Sequence, residues 1–156
     1  MMNSIFESTL IPLLEKGAAF SEKRQEVLMG NVANIDTPNY KRRDLPVEDF
    51  QKALQKAIER RHQSRIQPKS NSIHSAPVSL NPILTQATQT IDDLFSPELF
   101  KAVEATQNNL TFQDGSNRSI ESEMMDMTRN TMMQSQLIEL MISQMNILET
   151  AITERV

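Results

Sequence analysis

The chain has 156 residues and a net charge of −4; 38% of its residues are hydrophobic and 4% aromatic, and cysteine and tryptophan are absent. This balance disfavours one large apolar core and predicts elongated helices. It also excludes disulfide and thiolate chemistry and gives no global electrostatic reason to bind nucleic acid.

Taken from the start, residues 1–14 lack a basic n-region and contain Glu7 and Pro12, so no cleavable secretory signal is expected. No uninterrupted apolar run of about 20 residues exists to cross a bilayer. A cytoplasmic home is the default, but export that reads an uncleaved N-terminus would leave the same record. Apolar or small residues at Leu13, Gly17, Phe20, Val27 and Leu28, with Arg24 interrupting the face, predict a helix from Leu13 to about Ile35. Pro12 suits its first turn and would bend away a short helical segment over Ser4 to Ile11. The helix must stop near Thr37, because Pro38 disfavours helical geometry before it and lacks an amide proton. Asn34 and Asn39 both tolerate left-handed backbone, so either can form the cap or the turn.

A second start signal follows: Asp44 near Pro46, then Glu48 and Asp49 in a first turn, with Val47, Phe50, Leu54 and Ala57/Ile58 on one face. The expected helix runs from about Pro46 to Arg61. Two basic clusters, Lys41-Arg42-Arg43 and Arg60-Arg61, read as solvated surface or helix-end charge. From His62 to about Thr90 the pattern dissolves into polar residues broken by Pro68, Pro77 and Pro82, predicting disorder until neighbours order it. Ser96-Pro97-Glu98 then supplies the start of a short helix through Leu99, Phe100 and Val103. Leu110 and Phe112 suggest a brief extended segment ahead of a turn at Asp114-Gly115.

The last segment has the strongest periodicity. Ile120, Met124, Met127, Thr131, Gln134, Ile138, Met141, Met145, Leu148 and Ile152 follow alternating spacings of four and three, the seam of a coiled coil. With Ser119 as cap, a helix from Ser119 to Arg155 would extend about 55 Å at ~1.5 Å per residue. Met133, Leu137, Leu140, Ile142 and Ile147 widen the apolar surface beyond what one partner helix covers. Two readings stand: a helix buried in its own core, or one covered by neighbouring subunits. Thr131 and Gln134 in this seam, with Arg24 in the first, either restrict register or lie exposed because the helix drifts from a strict heptad.

Catalysis has little support. His62 and His74 join no nucleophile or metal-ligand set, and the carboxylate pairs Asp92-Asp93 and Glu121/Glu123 read as helix-start or surface acids. No catalytic, cofactor or metal residue is expected, and with only three glycines there is no phosphate-binding loop. The expected organisation is an N-terminal helical arm over 1–36, a turn and short helix over 37–61, a loop-rich middle over 62–118 and a C-terminal coiled-coil helix over 119–156.

Asn31-Val32-Ala33-Asn34-Ile35-Asp36-Thr37-Pro38-Asn39-Tyr40-Lys41 closely resembles the N-terminal signature of bacterial flagellar axial proteins, the rod and hook family, and Arg24 to Leu28 resembles the approach to it in proximal rod proteins. Asp114-Gly115-Ser116-Asn117, then Ile120 to Met124 and Asn130, resembles the lead into the C-terminal helix of the same proximal rod type. Asn39 stands where glycine is usual, Arg118 where a small apolar residue is common and Gln134 where an aromatic is frequent.

The resemblance implies a mainly α fold whose N- and C-terminal helices pair as an antiparallel coiled-coil hairpin, with a loop-rich middle and little strand. It implies a structural subunit of the periplasmic basal-body rod, exported by the flagellar type III apparatus without a cleaved signal, that passes torque and export substrates. Implied partners are copies of itself, other rod proteins, the MS-ring protein and a rod adapter protein. Asn31, Asn34, Thr37, Pro38, Asn39, Tyr40 and Lys41 would fix the chain's exit from the helical core, Tyr40 as an anchor with a polar partner for its hydroxyl. Leu13, Phe20, Val27, Leu28, Ile120, Met124, Met127, Ile138, Met141, Met145, Leu148 and Ile152 would carry assembly. The alternatives are a paralogous proximal rod protein and a non-flagellar cytosolic helical adaptor.

Overall fold

Two long helices lie side by side, and a shorter one packs on the outer face of the first. The computed structural model describes residues 9–66, 91–105 and 120–153. Its elements are α1 (Ile11–Ala33), β1 (Arg43–Asp44), α2 (Val47–Ile66), α3 (Ile91–Leu94), a 3₁₀ turn (Pro97–Phe100), β2 (Val103–Glu104) and α4 (Ile120–Thr153). The fold is mainly helical, as expected, with long terminal helices packed together and little strand.

Helix α1 begins with Pro12 in its first turn and ends at Asn34, whose amide donates to Gly30 O at 3.2 Å and whose Nδ2 donates to the same oxygen at 2.8 Å. The side chain thus answers carbonyls that the ended ladder leaves unpaired. Two turns follow, closed by Thr37 N–H to Asn34 O at 3.0 Å and Tyr40 N–H to Thr37 O at 3.2 Å. Asn39 has φ 59°, the left-handed geometry that follows a proline in a type II turn.

Helix α2 opens with Glu48 and Asp49 in its first turn and runs to Ile66, five residues beyond the expected end at Arg61. No proline interrupts residues 62–66, so polar composition alone does not break the helix. Val103, expected in a short helix, instead lies in β2, which pairs antiparallel with β1 in the register Arg43↔Glu104 and Asp44↔Val103. The 3₁₀ turn tightens after Pro97 and ends at Lys101, leaving β2 free to extend. The segment expected over Ser4 to Ile11 falls outside the described residues except at its end. So do the polar stretch over 67–90, the Leu110/Phe112 segment, the turn at Asp114-Gly115 and the cap at Ser119.

The apolar core sits between α1 and α2. Leu13 and Phe20 of α1 meet Leu45, Phe50, Ala57 and Phe95, with Val27, Leu54, Leu99 and Phe100 partly buried around them. Phe20 and Phe50 stack with ring centroids 3.9 Å apart, and Phe100 meets both edge-on at 6.1 and 6.4 Å. The middle of the chain therefore supplies more apolar packing than its composition suggested.

Candidate functional site

The functional surface is built where α1, the turn after it and α4 meet. Helix α1 buries two faces: Leu13 and Phe20 point into the core, whereas Gly17, Ser21, Leu28 and Asn31, spaced by fours and sevens or threes, form the buried stripe towards α4. A β-carbon at Gly17 would stand 3.1 Å from Leu137 Cδ1, so the missing side chain is what lets the helices approach there. Asn130 Nδ2 donates to Ser21 O at 2.8 Å and to Gln25 Oε1 at 2.9 Å, and Asn31 Nδ2 donates to Glu123 Oε2 at 3.1 Å. Contacts 17 to 137, 21 and 25 to 130, and 31 to 123 run in opposite directions along the chain, so the hairpin is antiparallel.

At the connected end of the hairpin, where α1 ends and α4 begins, lies a network of charged groups. Arg42 Nε donates to Glu123 Oε1, and its Nη2 donates to Asp126 Oδ2 at 2.6 Å and lies 3.7 Å from Asp44 Oδ2. The Arg42 and Glu123 side chains are only 8% and 4% exposed. Arg24 makes a two-pronged pair with Asp44, Nε to Oδ1 and Nη2 to Oδ2 both at 2.9 Å. The Asp44 carboxylate raises the Arg24 pKa above its ordinary value through these hydrogen bonds, against the opposing effect of burial. Asn31 ties the turn into the network: its Oδ1 accepts from Tyr40 Oη at 3.0 Å and from Arg43 N–H at 3.1 Å, while its Nδ2 also donates to Arg43 O at 2.7 Å. Removing one member of a buried pair such as Arg42–Glu123 costs about 3–5 kcal/mol, because the other charge is left dry and unpaired.

These positions correct the reading of two charged groups. Arg42 is not solvated surface, and Glu123, although it is a helix-start acid in the first turn of α4, is not at the surface; each is buried against the other. Lys41 does remain exposed, 3.4 Å from Glu104. Of the turn residues, Asn31 is buried and Asn34 and Tyr40 are half-buried, whereas Thr37, Pro38 and Asn39 are exposed at the bend, Thr37 hydrogen-bonded there to Asn34.

The predicted seam of α4 divides. Met127, Gln134, Met141 and Leu148 are half-buried, whereas Ile120, Met124, Thr131, Ile138, Met145 and Ile152 are exposed. Within the chain the other half of the seam is Glu123, Asn130, Leu137 and Gln144, each one residue earlier than the expected Met124, Thr131, Ile138 and Met145. Hydrophobic spacing could not find it, because three of its four members are polar, and two of these, Glu123 and Asn130, are satisfied by partners about a hundred positions away.

The apolar residues left outside are arranged. With 3.6 residues per turn, Ile120, Met124, Ile138, Ile142 and Met145 lie along one flank of the seam, and Met133, Leu140 and Ile147, spaced by sevens, lie along the other. Glu121, Thr128, Ser135, Glu139 and Asn146 occupy the side opposite the seam, together with the exposed Met125 and Met132. Among the described residues no group of three or more His, Asp or Glu is placed to hold a metal, and no helix is long and apolar enough to cross a membrane.

Fold and site together define a protein of the helical-hairpin class, closed by buried polar contacts and apolar on its outer flanks. No family model matches the chain. It is 27% identical to the flagellar basal body rod protein FlgB of Bacillus subtilis (strain 168) over 150 residues, 96% of this chain and 97% of the relative. A 35-residue stretch, 22% of this chain and 28% of the relative, is 60% identical to the flagellar basal body rod protein FlgB of Aquifex aeolicus (strain VF5). The resemblance carried by Asn31 to Lys41 and by the lead into α4 is thus to the FlgB type of flagellar rod protein.

Proposed function

We propose that this protein is a structural subunit of the flagellar basal-body rod, packing through its terminal helices into the hollow axial shaft next to the MS ring and supporting motility. The observation that carries this reading is the likeness to a rod protein along 96% of the chain. Both relatives bear the FlgB name, which favours that type over the paralogous FlgC type and over a non-flagellar cytosolic adaptor. The two unlike apolar flanks of α4 supply a surface suited to the role. Contacts between unlike patches are head-to-tail and propagate into rings or helical filaments, whereas a two-fold dimer would use one patch twice.

On this reading the partners are further copies of the chain, other rod proteins, the MS-ring protein, a rod adapter protein and the type III export apparatus. The subunit resides in the periplasmic part of the basal body, exported without cleavage of a signal peptide, and it has no catalytic task. Ile120, Met124, Met127, Ile138, Met141, Met145, Leu148 and Ile152 carry assembly together with the exposed parts of α1. Phe20 and Leu13 serve it indirectly, by holding α2 against the hairpin. A chromosomal deletion, scored for swimming and for the protein content of isolated basal bodies, tests the proposal. Loss of swimming and of the rod, both restored by the gene in trans, is expected; normal swimming with an intact rod would refute it.

A further inference from the structure

Helix α4 has 34 residues and α1 has 23, so α4 is longer than the helix it packs on. Its inward residues repeat without a break at 123, 127, 130, 134, 137, 141, 144 and 148. In the observed register Asn31 stands beside Glu123 and Gly17 beside Leu137. A slide of α4 by one heptad would bring Asn130 beside Asn31, Leu137 beside Arg24 and Gln144 beside Gly17, with α1 still covered along its whole length. Heptad packing alone therefore leaves two registers of similar overlap. What distinguishes them are specific contacts: the bonds of Asn130 to Ser21 and Gln25, the seat of Leu137 on Gly17, and the polar network at the connected end, because Glu123 and Asp126 reach Arg42 only in the observed register.

We propose that Arg42 is a register-determining residue of the hairpin: added to the contacts of Asn130 and Gly17, its contacts with Glu123 and Asp126 select one of two heptad registers of α4 and so fix where the apolar flanks of α4 are presented. The slid register carries Glu123 past the end of α1, where it is hydrated, and leaves Arg42 buried without it. Polar contacts in an otherwise repetitive seam, here at Glu123 and Asn130, are a known means of specifying register at some cost in stability. Asn31 works with Arg42, since it bonds Glu123 on one side and the backbone of Arg43 on the other.

The chain has no cysteine, so spin labels attach only where cysteines are introduced. Glu26→Cys and Glu149→Cys are exposed sites on the two helices, and one heptad of sliding changes their separation along the axis by ~10 Å at 1.5 Å per residue. Pulsed electron–electron distance measurements on the dilute full chain should give one distance with Arg42 present and with Arg42→Lys. The paired variant Arg42→Met/Glu123→Met keeps the seam filled and leaves no buried charge of the pair unmatched. It should retain the helical circular-dichroism signal and yet give a second distance, shorter by ~10 Å. A single unchanged distance in that variant would overturn the proposal, because the pair would then contribute only cohesion. Loss of the helical signal in the paired variant would overturn it as well.

Discussion

At the scale of single residues, the turn after α1 shows how one substitution changes a family pattern without losing its geometry. Asn39 occupies the position where the resembling proteins usually carry glycine, and its φ of 59° is left-handed. Asparagine visits that region more readily than other side chains, whereas a β-branched residue meets the full clash of Cβ with the following carbonyl. Asn39→Gly should therefore leave unfolding stability within about 1 kcal/mol, and Asn39→Val should lower it by about 1–2 kcal/mol. Urea denaturation followed by circular dichroism checks both. Equal stabilities for Gly and Val would show that the turn is not held in this geometry. The position was legible in sequence because Pro38 and Asn39 each have a narrow backbone preference. Tyr40 was legible as an anchor with a polar partner, but not its partner: Asn31 is reached only because the turn folds back on α1.

The helices were legible as elements, and their faces only in part. Proline, asparagine and acidic first turns marked α1 and α2 to within a few residues, apart from the extra turn at 62–66. Periodicity also identified α4, whose heptads are unbroken. The inward face of α4 was misread because a seam was expected to be apolar, while Glu123 and Asn130 are drawn in by hydrogen bonds to Asn31, Ser21 and Gln25. The same blindness affected Arg42, which composition places on the surface and an ion pair places inside. Two classes of substitution separate the faces. Leu28 is 0% exposed at the hairpin, and Leu28→Ala should cost about 2–5 kcal/mol of stability. Ile138→Asp with Ile142→Asp changes side chains that are 43% and 53% exposed, and should shift stability of the dilute chain by no more than about 0.5 kcal/mol per site. Denaturation midpoints measure both, and a large loss on the Ile138/Ile142 flank would mean that this flank is already covered within the chain.

For the whole molecule, the division of apolar surface is what connects fold to role. One cluster, centred on Phe20 and Phe50, is satisfied inside the subunit, so the hairpin has a rigid platform. The other apolar set, on the flanks of α4, is exposed and on the proposed reading is covered by neighbours, and the long α4 continues past the level of Ile11 in the register seen at Asn31–Glu123 and Gly17–Leu137. If the proposed assembly holds, burying such flanks between subunits would contribute about 25 cal/mol for each Å² of apolar surface removed from water. The most direct test is to express the Ile138→Asp/Ile142→Asp chain in place of the natural one and quantify it in purified basal bodies against its level in whole cells. The account predicts normal cellular levels, absence from the basal body and loss of swimming. Incorporation at the natural level with normal swimming would contradict it.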